Sequence, residues 1–200
     1  EALQRLSFNG GSHSSRIRVV GTNGEERRGA HLVDCSSTAG NTALYEAVVQ
    51  GGGQVFSANR KTLSGPAAGS CFGIQGRAES SVQVHAALDG GSLFVASLED
   101  RLRRGDGPLQ MEATPSAWMN RLLGLMNDGA SFSGALAQQL AESPAECNPV
   151  EELSGREAAE QFTIMLRCCG ADIDACDIAA ESLLPEEYAL HGSVENMLRW

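Results

Sequence analysis

The sequence has few basic residues and no long apolar run, and each absence excludes a class of protein. Fifteen lysine and arginine residues stand against 25 aspartate and glutamate residues, for a net charge of −10. The arginines are spread from Arg5 to Arg199, so no basic surface for a nucleic-acid backbone is expected. No apolar stretch approaches the ~20 residues that a transmembrane helix requires. We therefore predict no nucleic-acid partner and no membrane span.

Phosphate-binding motifs are also missing. A dinucleotide fold places G-x-G-x-x-G between its first strand and first helix, where backbone N–H groups hold the pyrophosphate. No such motif occurs here, and Gly51–Gly53 follow a predicted helix, which indicates a C-cap and turn. The nucleophile-elbow and P-loop patterns are absent too. The motifs therefore predict no cofactor.

Cysteine and histidine do not form a metal-binding pattern. The six cysteines are Cys35, Cys71, Cys147, Cys168, Cys169 and Cys176. They contain no C-x-x-C, and none of the four histidines lies at ligand spacing from them. Cys168 and Cys169 would lie about 100° apart on a helix, which favours one buried and one partly exposed thiol over a shared metal. We predict reduced thiols and no metal.

The chain begins at Glu1 without a methionine, an n-region or an h-region. We therefore expect that any targeting segment is absent or already removed. A removed presequence would fit an organellar protein of the mitochondrion or plastid.

Alternating strand and helix patterns predict an α/β fold. Predicted strands are Arg16–Gly21, His31–Ser36, Gln54–Asn59 and Val82–Leu88. Predicted helices are Asn41–Gln50, Thr62–Ala78, Ser92–Arg104, Ser116–Met126 and Ser131–Ala141. Strand, helix and strand at these lengths form a βαβ unit with a parallel sheet. We expect an incomplete Rossmann-like sheet in residues 1–61 and a mixed, helix-rich α/β region in residues 62–200.

The stretch Glu151–Gly170 predicts one helix with an apolar and a polar face. Ser154 and Glu157 form a capping-box pattern, and Gly170 is a natural stop. The apolar face comprises Ala158, Phe162, Met165, Leu166 and Cys169. The polar face, which we expect to meet solvent, comprises Glu152, Arg156, Glu157, Glu160 and Gln161. On this pattern Phe162→Ala would cost about 3–5 kcal/mol as a core truncation, and Gln161→Ala almost nothing.

Several segments in the same order resemble homoserine dehydrogenases, most of all the plant-type enzymes. They are HLVDCSS, GGGQVFSANRKTLSGP, SLEDRLRRGD, LLGLMNDGASFSGALAQQLAES, ECNPVEELSGREAAEQFTIMLRCCG and DIDACDIAAESLLPEEY. The resemblance implies that residues 62–200 correspond to the family's catalytic and dimerisation region, without its terminal strands. It also implies hydride transfer between a nicotinamide cofactor and homoserine, with NADP as cofactor if the chain is an enzyme.

The resemblance also places the family's functional positions on this chain. The lysine of the Asn-Lys motif falls on Arg60, with Asn59 kept and Lys61 next to it. The loop glutamate falls on Glu146, the helix aspartates on Glu152 and Glu157, and the helix lysine on Gln161. A cation-binding glutamate falls near His85.

These replacements predict a chain without catalytic residues. Arginine keeps its proton near neutral pH and is poorly suited to proton transfer. Lys61 would point to the other face if the strand continued. The first hypothesis is therefore a non-catalytic relative, an accessory subunit that binds other protein subunits of a larger assembly. The second is an oxidoreductase that uses Lys61 and Glu146 with a cofactor domain from another chain. The third is an amino-acid-sensing domain.

Overall fold

The computed structural model describes residues 31–66, 81–88, 93–142 and 148–184. The chain forms two compact units, Glu1–Val95 and Ala96–Trp200. The predicted strand Arg16–Gly21 lies outside the described residues, as do Glu146, Cys71 and Cys147. The proposed division into residues 1–61 and 62–200 stays a prediction.

A three-stranded parallel sheet organises the first unit. Its strands are β1 (Leu32–Asp34), β2 (Val55–Ser57) and β3 (Val82–Gln83), in the order β1-β2-β3. Helix α1 (Thr42–Gln50) connects the first two strands. The predicted βαβ unit and its parallel pairing are therefore confirmed.

The two faces of the sheet differ in burial. Leu32, Val55 and Val82 are buried on one face. Val33 and Phe56 are paired across β1 and β2 and point the other way, with 70% and 43% of their surface exposed. Side chains alternate along a strand, so this difference follows from the pleat. The sheet thus buries one face and leaves apolar side chains exposed on the other.

Two predictions for the first unit are wrong in part. Helix α2 (Arg60–Leu63) begins two residues before the predicted Thr62 and ends at Leu63, because Gly65 and Pro66 follow and disfavour a helix. Strand β3 ends at Gln83, and His85–Leu88 form a helical turn, α3, instead of a continued strand. In a segment as short as Val82–Leu88, the alternation of small and β-branched residues does not distinguish a strand from a helical turn. Residues 67–78 lie outside the described residues.

The second unit contains a helical hairpin close to its predicted bounds. Helix α4 (Phe94–Arg103) spans the division between the units, and α5 (Ala117–Asn127) and α6 (Phe132–Glu142) pack against each other. The Ser116 hydroxyl caps α5 by accepting from the Met119 N–H at 3.0 Å. The apolar cluster beneath the hairpin comprises Trp118, Leu122, Ala135, Leu136, Leu153 and Leu184.

The predicted helix Glu151–Gly170 is two helices, α7 (Pro149–Leu153) and α8 (Arg156–Cys168). Ser154 ends α7 and its hydroxyl donates to the Glu151 carbonyl, so the predicted capping box is wrong. Gly155 makes the junction at a φ of +79°, which favours glycine. A Cβ there would lie 3.3 Å from the Ala180 Cβ. A left-handed residue and a close neighbour therefore separate the two helices.

The buried face of α8 also differs from the prediction. The buried residues of α8 are Ala159, Gln161, Thr163, Ile164, Met165 and Arg167. Only Met165 belongs to the predicted apolar face, and Phe162 is half-buried. Arg167 is buried because its guanidinium donates to the Ile173 carbonyl at 2.8 Å and to Asp174 at 2.5 Å. The expected cost of about 3–5 kcal/mol for Phe162→Ala assumed a side chain buried in the core, and this assumption does not hold for the half-buried Phe162.

None of the helices within the described ranges is both long and apolar enough to cross a bilayer.

Candidate functional site

A group of polar side chains lies where β1 and β2 end. We call it the edge cluster, and its members are Asp34, Ser36, Asn41, Tyr45, Ser57, Asn59 and Thr62. Ligands of open α/β sheets bind outside the carboxyl ends of the strands, which is where this cluster lies. The edge cluster is therefore the first candidate site.

The Asp34 carboxylate is the hub of the edge cluster. Oδ2 accepts from the Tyr45 hydroxyl at 2.5 Å, from Asn41 Nδ2 at 2.9 Å and from Asn59 Nδ2 at 3.1 Å, while Oδ1 accepts from the Ser36 N–H at 2.8 Å. Burial by itself would raise the pKa of Asp34, but the bonds from Tyr45, Ser36 and Asn41 outweigh it and the pKa lies below its ordinary value. Asp34 is thus a buried, ionised and fully hydrogen-bonded acid.

The hydroxyl groups of the cluster connect the two strand ends. The Tyr45 hydroxyl lies 2.7 Å from Ser57 Oγ, and Ser57 Oγ accepts from the Asn59 N–H at 3.0 Å. The Thr62 hydroxyl donates to the Thr38 carbonyl at 3.0 Å. These bonds hold the loop after β1 against the loop after β2, so the edge is a preorganised structure.

Arg60 and Lys61 are the first two residues of α2. The argument that Lys61 points to the opposite face of a strand is wrong, because β2 already ends at Ser57. Consecutive helical residues differ by about 100° instead. Arg60 is half-buried and Lys61 is exposed.

A second candidate site is formed by the polar residues of α7 and α8. Glu152 on α7 is 6% exposed and Gln161 on α8 is 2% exposed, so the expectation that this face meets solvent is wrong for both. Glu157 lies one helical turn before Gln161 on the same face of α8. Within the described residues, Gln161 Oε1 is buried without a hydrogen-bond partner. Glu146, the remaining predicted site residue, lies outside the described residues.

Replacing Gln161 with methionine is expected to raise the free energy of unfolding by about 1 kcal/mol. The substitution keeps the volume and removes a buried carbonyl that has no hydrogen-bond partner among the described residues. Gln139→Met is the matched control, because Gln139 is equally buried at 2% but donates to the Trp118 carbonyl at 2.7 Å. The control should lower stability by about 1 kcal/mol. Urea unfolding followed by circular dichroism measures both, and a loss of stability in Gln161→Met would show that the amide is satisfied in solution.

The described cysteines and histidines do not create a further site. Cys35, Cys168, Cys169 and Cys176 are free thiols. Cys168 and Cys169 are both half-buried, and burial raises the pKa of Cys168 to about 12 and also raises that of Cys169. His85 begins α3, and the described ranges contain no group of three or more His, Cys, Asp or Glu arranged for a metal ion.

Sequence reasoning missed most of the edge cluster. The sequence patterns place Asp34 and Ser36 only within the predicted strand His31–Ser36, and Asn41 and Tyr45 only within the predicted helix Asn41–Gln50. The available signal was the position of Asp34 and Ser57 at the ends of successive parallel strands, because such ends meet at one edge of a sheet. That signal would have placed them together without giving the role of Tyr45.

The parallel sheet with a polar carboxyl edge, followed by a helical unit, defines an α/β protein of Rossmann-like architecture. The family model described as homoserine dehydrogenase matches residues 94–196, just over half of the chain. The chain therefore belongs to the homoserine dehydrogenase family.

Relatives in plants and fungi agree with this assignment at low identity. The chain is 25% identical over 169 residues to the chloroplastic bifunctional aspartokinase/homoserine dehydrogenase of Daucus carota. This match covers 84% of this chain and 18% of that protein. It is 24% identical over 164 residues to the homoserine dehydrogenase of Emericella nidulans, covering 78% of this chain and 45% of that protein. The chain thus spans less than half of the length of these relatives.

A solved structure shows the same fold. The crystal structure of a Candida auris protein of unknown function superposes with a TM-score of 0.68 at 20% identity, over 86% of this chain and 50% of that one.

Proposed function

We propose that this chain is a non-catalytic member of the homoserine dehydrogenase family that acts as an accessory subunit of a larger protein assembly. The observation that carries the proposal is the burial and hydrogen bonding of the Gln161 side chain. Its amide stands where the resemblance places a lysine, and it is 2% exposed with Oε1 lacking a partner in the described part of the chain. A neutral amide cannot supply the proton or the positive charge that the family position implies.

Position 60 supports the same proposal. The edge cluster beside it is ordered, since Asn59 caps α2 through its side chain. The side chain that follows is nevertheless arginine, which does not exchange a proton near neutral pH. An ordered strand edge that carries a group unsuited to proton transfer fits a protein that has the fold without the reaction.

The family implies a nicotinamide dinucleotide, which an open α/β sheet binds at the carboxyl ends of its strands. The polar side chains of the edge cluster hydrogen bond mainly to one another, and the described strand ends carry no glycine-rich turn for a pyrophosphate. They do not fit a dinucleotide, so no step is assigned to one.

Exposed apolar side chains support a protein partner. Val33 and Phe56 lie on one side of the sheet, although parallel sheets are usually covered on both sides. Leu123 on α5 is 47% exposed. A partner subunit that covers such surface would gain about 25 cal/mol for each Å² of apolar area buried.

The full-length protein is expected to show no homoserine-dependent reduction of NAD⁺ or NADP⁺. Absorbance at the wavelength of the reduced nicotinamide measures the rate, and the Lys61→Ala variant is the control. The expected result is the same background in both proteins. Homoserine-dependent turnover that disappears in Lys61→Ala would contradict the proposal and favour the oxidoreductase, in which Lys61 and Glu146 act and NADP is the cofactor.

Calorimetry and co-purification separate the other functions. Heat released on titration with homoserine, without turnover, would favour the amino-acid sensor. Isolation of the tagged protein from its native mitochondria or plastids should recover stoichiometric partner chains. The chloroplastic location named for the plant relatives makes the plastid fraction the first to assay. A stable monomer without partners in either organelle would refute the accessory role.

A further inference from the structure

Asn59 lies between the end of β2 and the start of α2 and is 1% exposed. Its Oδ1 accepts from the Thr62 N–H at 3.1 Å, which is the N-cap bond of α2. Its Nδ2 lies 2.8 Å from the Thr38 carbonyl, 3.0 Å from Ser36 Oγ and 3.1 Å from Asp34 Oδ2. One side chain therefore joins the first turn of α2 to the end of β1 and the loop that follows it.

These contacts engage both donor hydrogens of the amide and one of the two lone pairs of its oxygen. An amide nitrogen has two hydrogens, and here three acceptors surround it, so the group cannot rotate without losing bonds. The Asn59 N–H is also held, by Ser57 Oγ at 3.0 Å. The backbone just before residue 60 is thus fixed from two sides.

Residue 60 is the first helical residue after this cap. The direction of its Cα–Cβ bond is set by the backbone angles at the start of α2, and the cap selects those angles. The carboxyl edge of a parallel sheet is where α/β proteins bind ligands. Because the cap is bonded to the ends of both strands, it sets the direction of the residue 60 side chain relative to this edge.

We propose that Asn59 is a positioning residue that fixes the direction of the residue 60 side chain at the carboxyl edge of the sheet. The Asn59 bonds that carry this inference do not involve the side chain of residue 60. The inference holds whether or not the chain is an enzyme, so it stands apart from the accessory function proposed above.

Tyr45 offers a matched control within the same cluster. Its hydroxyl donates to Asp34 Oδ2 and lies within hydrogen-bond distance of Ser57 Oγ, but no bond joins Tyr45 to the Asn59 side chain. Tyr45→Phe therefore weakens the same hub and leaves the cap of α2 in place. A general loosening of the cluster would affect both variants, whereas loss of positioning would affect only the Asn59 variant.

Nuclear magnetic resonance of the full chain tests the proposal with Asn59→Ala and Tyr45→Phe. The Cα–Cβ residual dipolar coupling of Arg60 reports the direction of its side chain, and amide hydrogen exchange of Thr62 reports the cap. In Asn59→Ala we expect the coupling to fall and the Thr62 amide to exchange at least about fivefold faster. In Tyr45→Phe both values should match the wild type. An unchanged Arg60 coupling in Asn59→Ala, or an equal fall in Tyr45→Phe, would overturn the proposal.

Asn59→Ser keeps the test decisive if Asn59→Ala does not fold. Serine retains an N-cap acceptor but lacks the amide that reaches Thr38 and Ser36. The Thr62 amide should then stay protected while the Arg60 coupling falls. A wild-type coupling in Asn59→Ser would equally reject the positioning role.

Discussion

Replacing Asp34 with alanine is expected to lower the free energy of unfolding by about 3–5 kcal/mol. The carboxylate is 7% exposed and accepts hydrogen bonds from Tyr45, Asn41, Asn59 and the Ser36 N–H. Its removal leaves buried donors unpaired, which costs more than the loss of an average contact. A loss of this size is a large share of the total stability of a small domain. Urea unfolding followed by circular dichroism measures it.

The neighbouring Val33→Ala is the control, because Val33 lies in the same strand with 70% of its surface exposed. Its cost should stay within about 1 kcal/mol, the range of strand propensity. Equal losses in the two variants would show that the strand, and not the carboxylate, carries the effect.

The lowered pKa of Asp34 also predicts how stability depends on pH. A pKa below the ordinary value of 3.8 means that the carboxylate contributes fully above that value and loses its contribution as the pH falls through the lower pKa of the folded state. The wild type should therefore lose stability on acidification in this range. Asp34→Asn should lose less over the same range, and an identical acid dependence in the two proteins would contradict an ionised Asp34.

Replacing Leu122 with alanine should lower the free energy of unfolding by about 2–5 kcal/mol. Leu122 is 1% exposed and belongs to the apolar cluster formed with Trp118, Leu136 and Leu153. The truncation removes apolar burial and leaves a cavity that neighbouring helices fill only in part.

Leu123→Ala is a control of identical chemistry one residue further along α5. Leu123 is 47% exposed, so its truncation should cost about 0.5 kcal/mol or less. Thermal and urea unfolding of the pair give the difference directly. Similar losses at both positions would mean that a further surface covers Leu123 in solution.

Local pattern was sufficient for the elements with strong end signals. Helix α5 (Ala117–Asn127) lies within one residue of the predicted Ser116–Met126, and α1 is followed by Gly51 as predicted. The parallel pairing of β1 and β2 followed from strand, helix and strand in succession. These features depend on neighbours in sequence, which the chain by itself displays.

The junction between α7 and α8 shows where local pattern failed. Ser154 and Glu157 satisfy a capping-box spacing, but Gly155 takes a left-handed conformation against Ala180 and the helix restarts after it. The burial of α8 then follows packing and ion pairing, so Arg167 and Gln161 are buried while Phe162 is only half-buried. The prediction from periodicity uses only the positions of apolar residues, so it cannot predict that Arg167 is buried through its bond to Asp174.

The sequence by itself determined the α/β class and the resemblance to homoserine dehydrogenases, and from that resemblance it predicted that Arg60 and Gln161 replace the family's lysines, because these inferences depend on the order and identity of residues. Only the tertiary structure decided that Asp34, Tyr45 and Asn59 form one network and that Gln161 is buried without a partner for Oε1 in the described chain. Hydrogen bonding and burial depend on distances between residues far apart in sequence, and these distances are set by how the strands and helices pack.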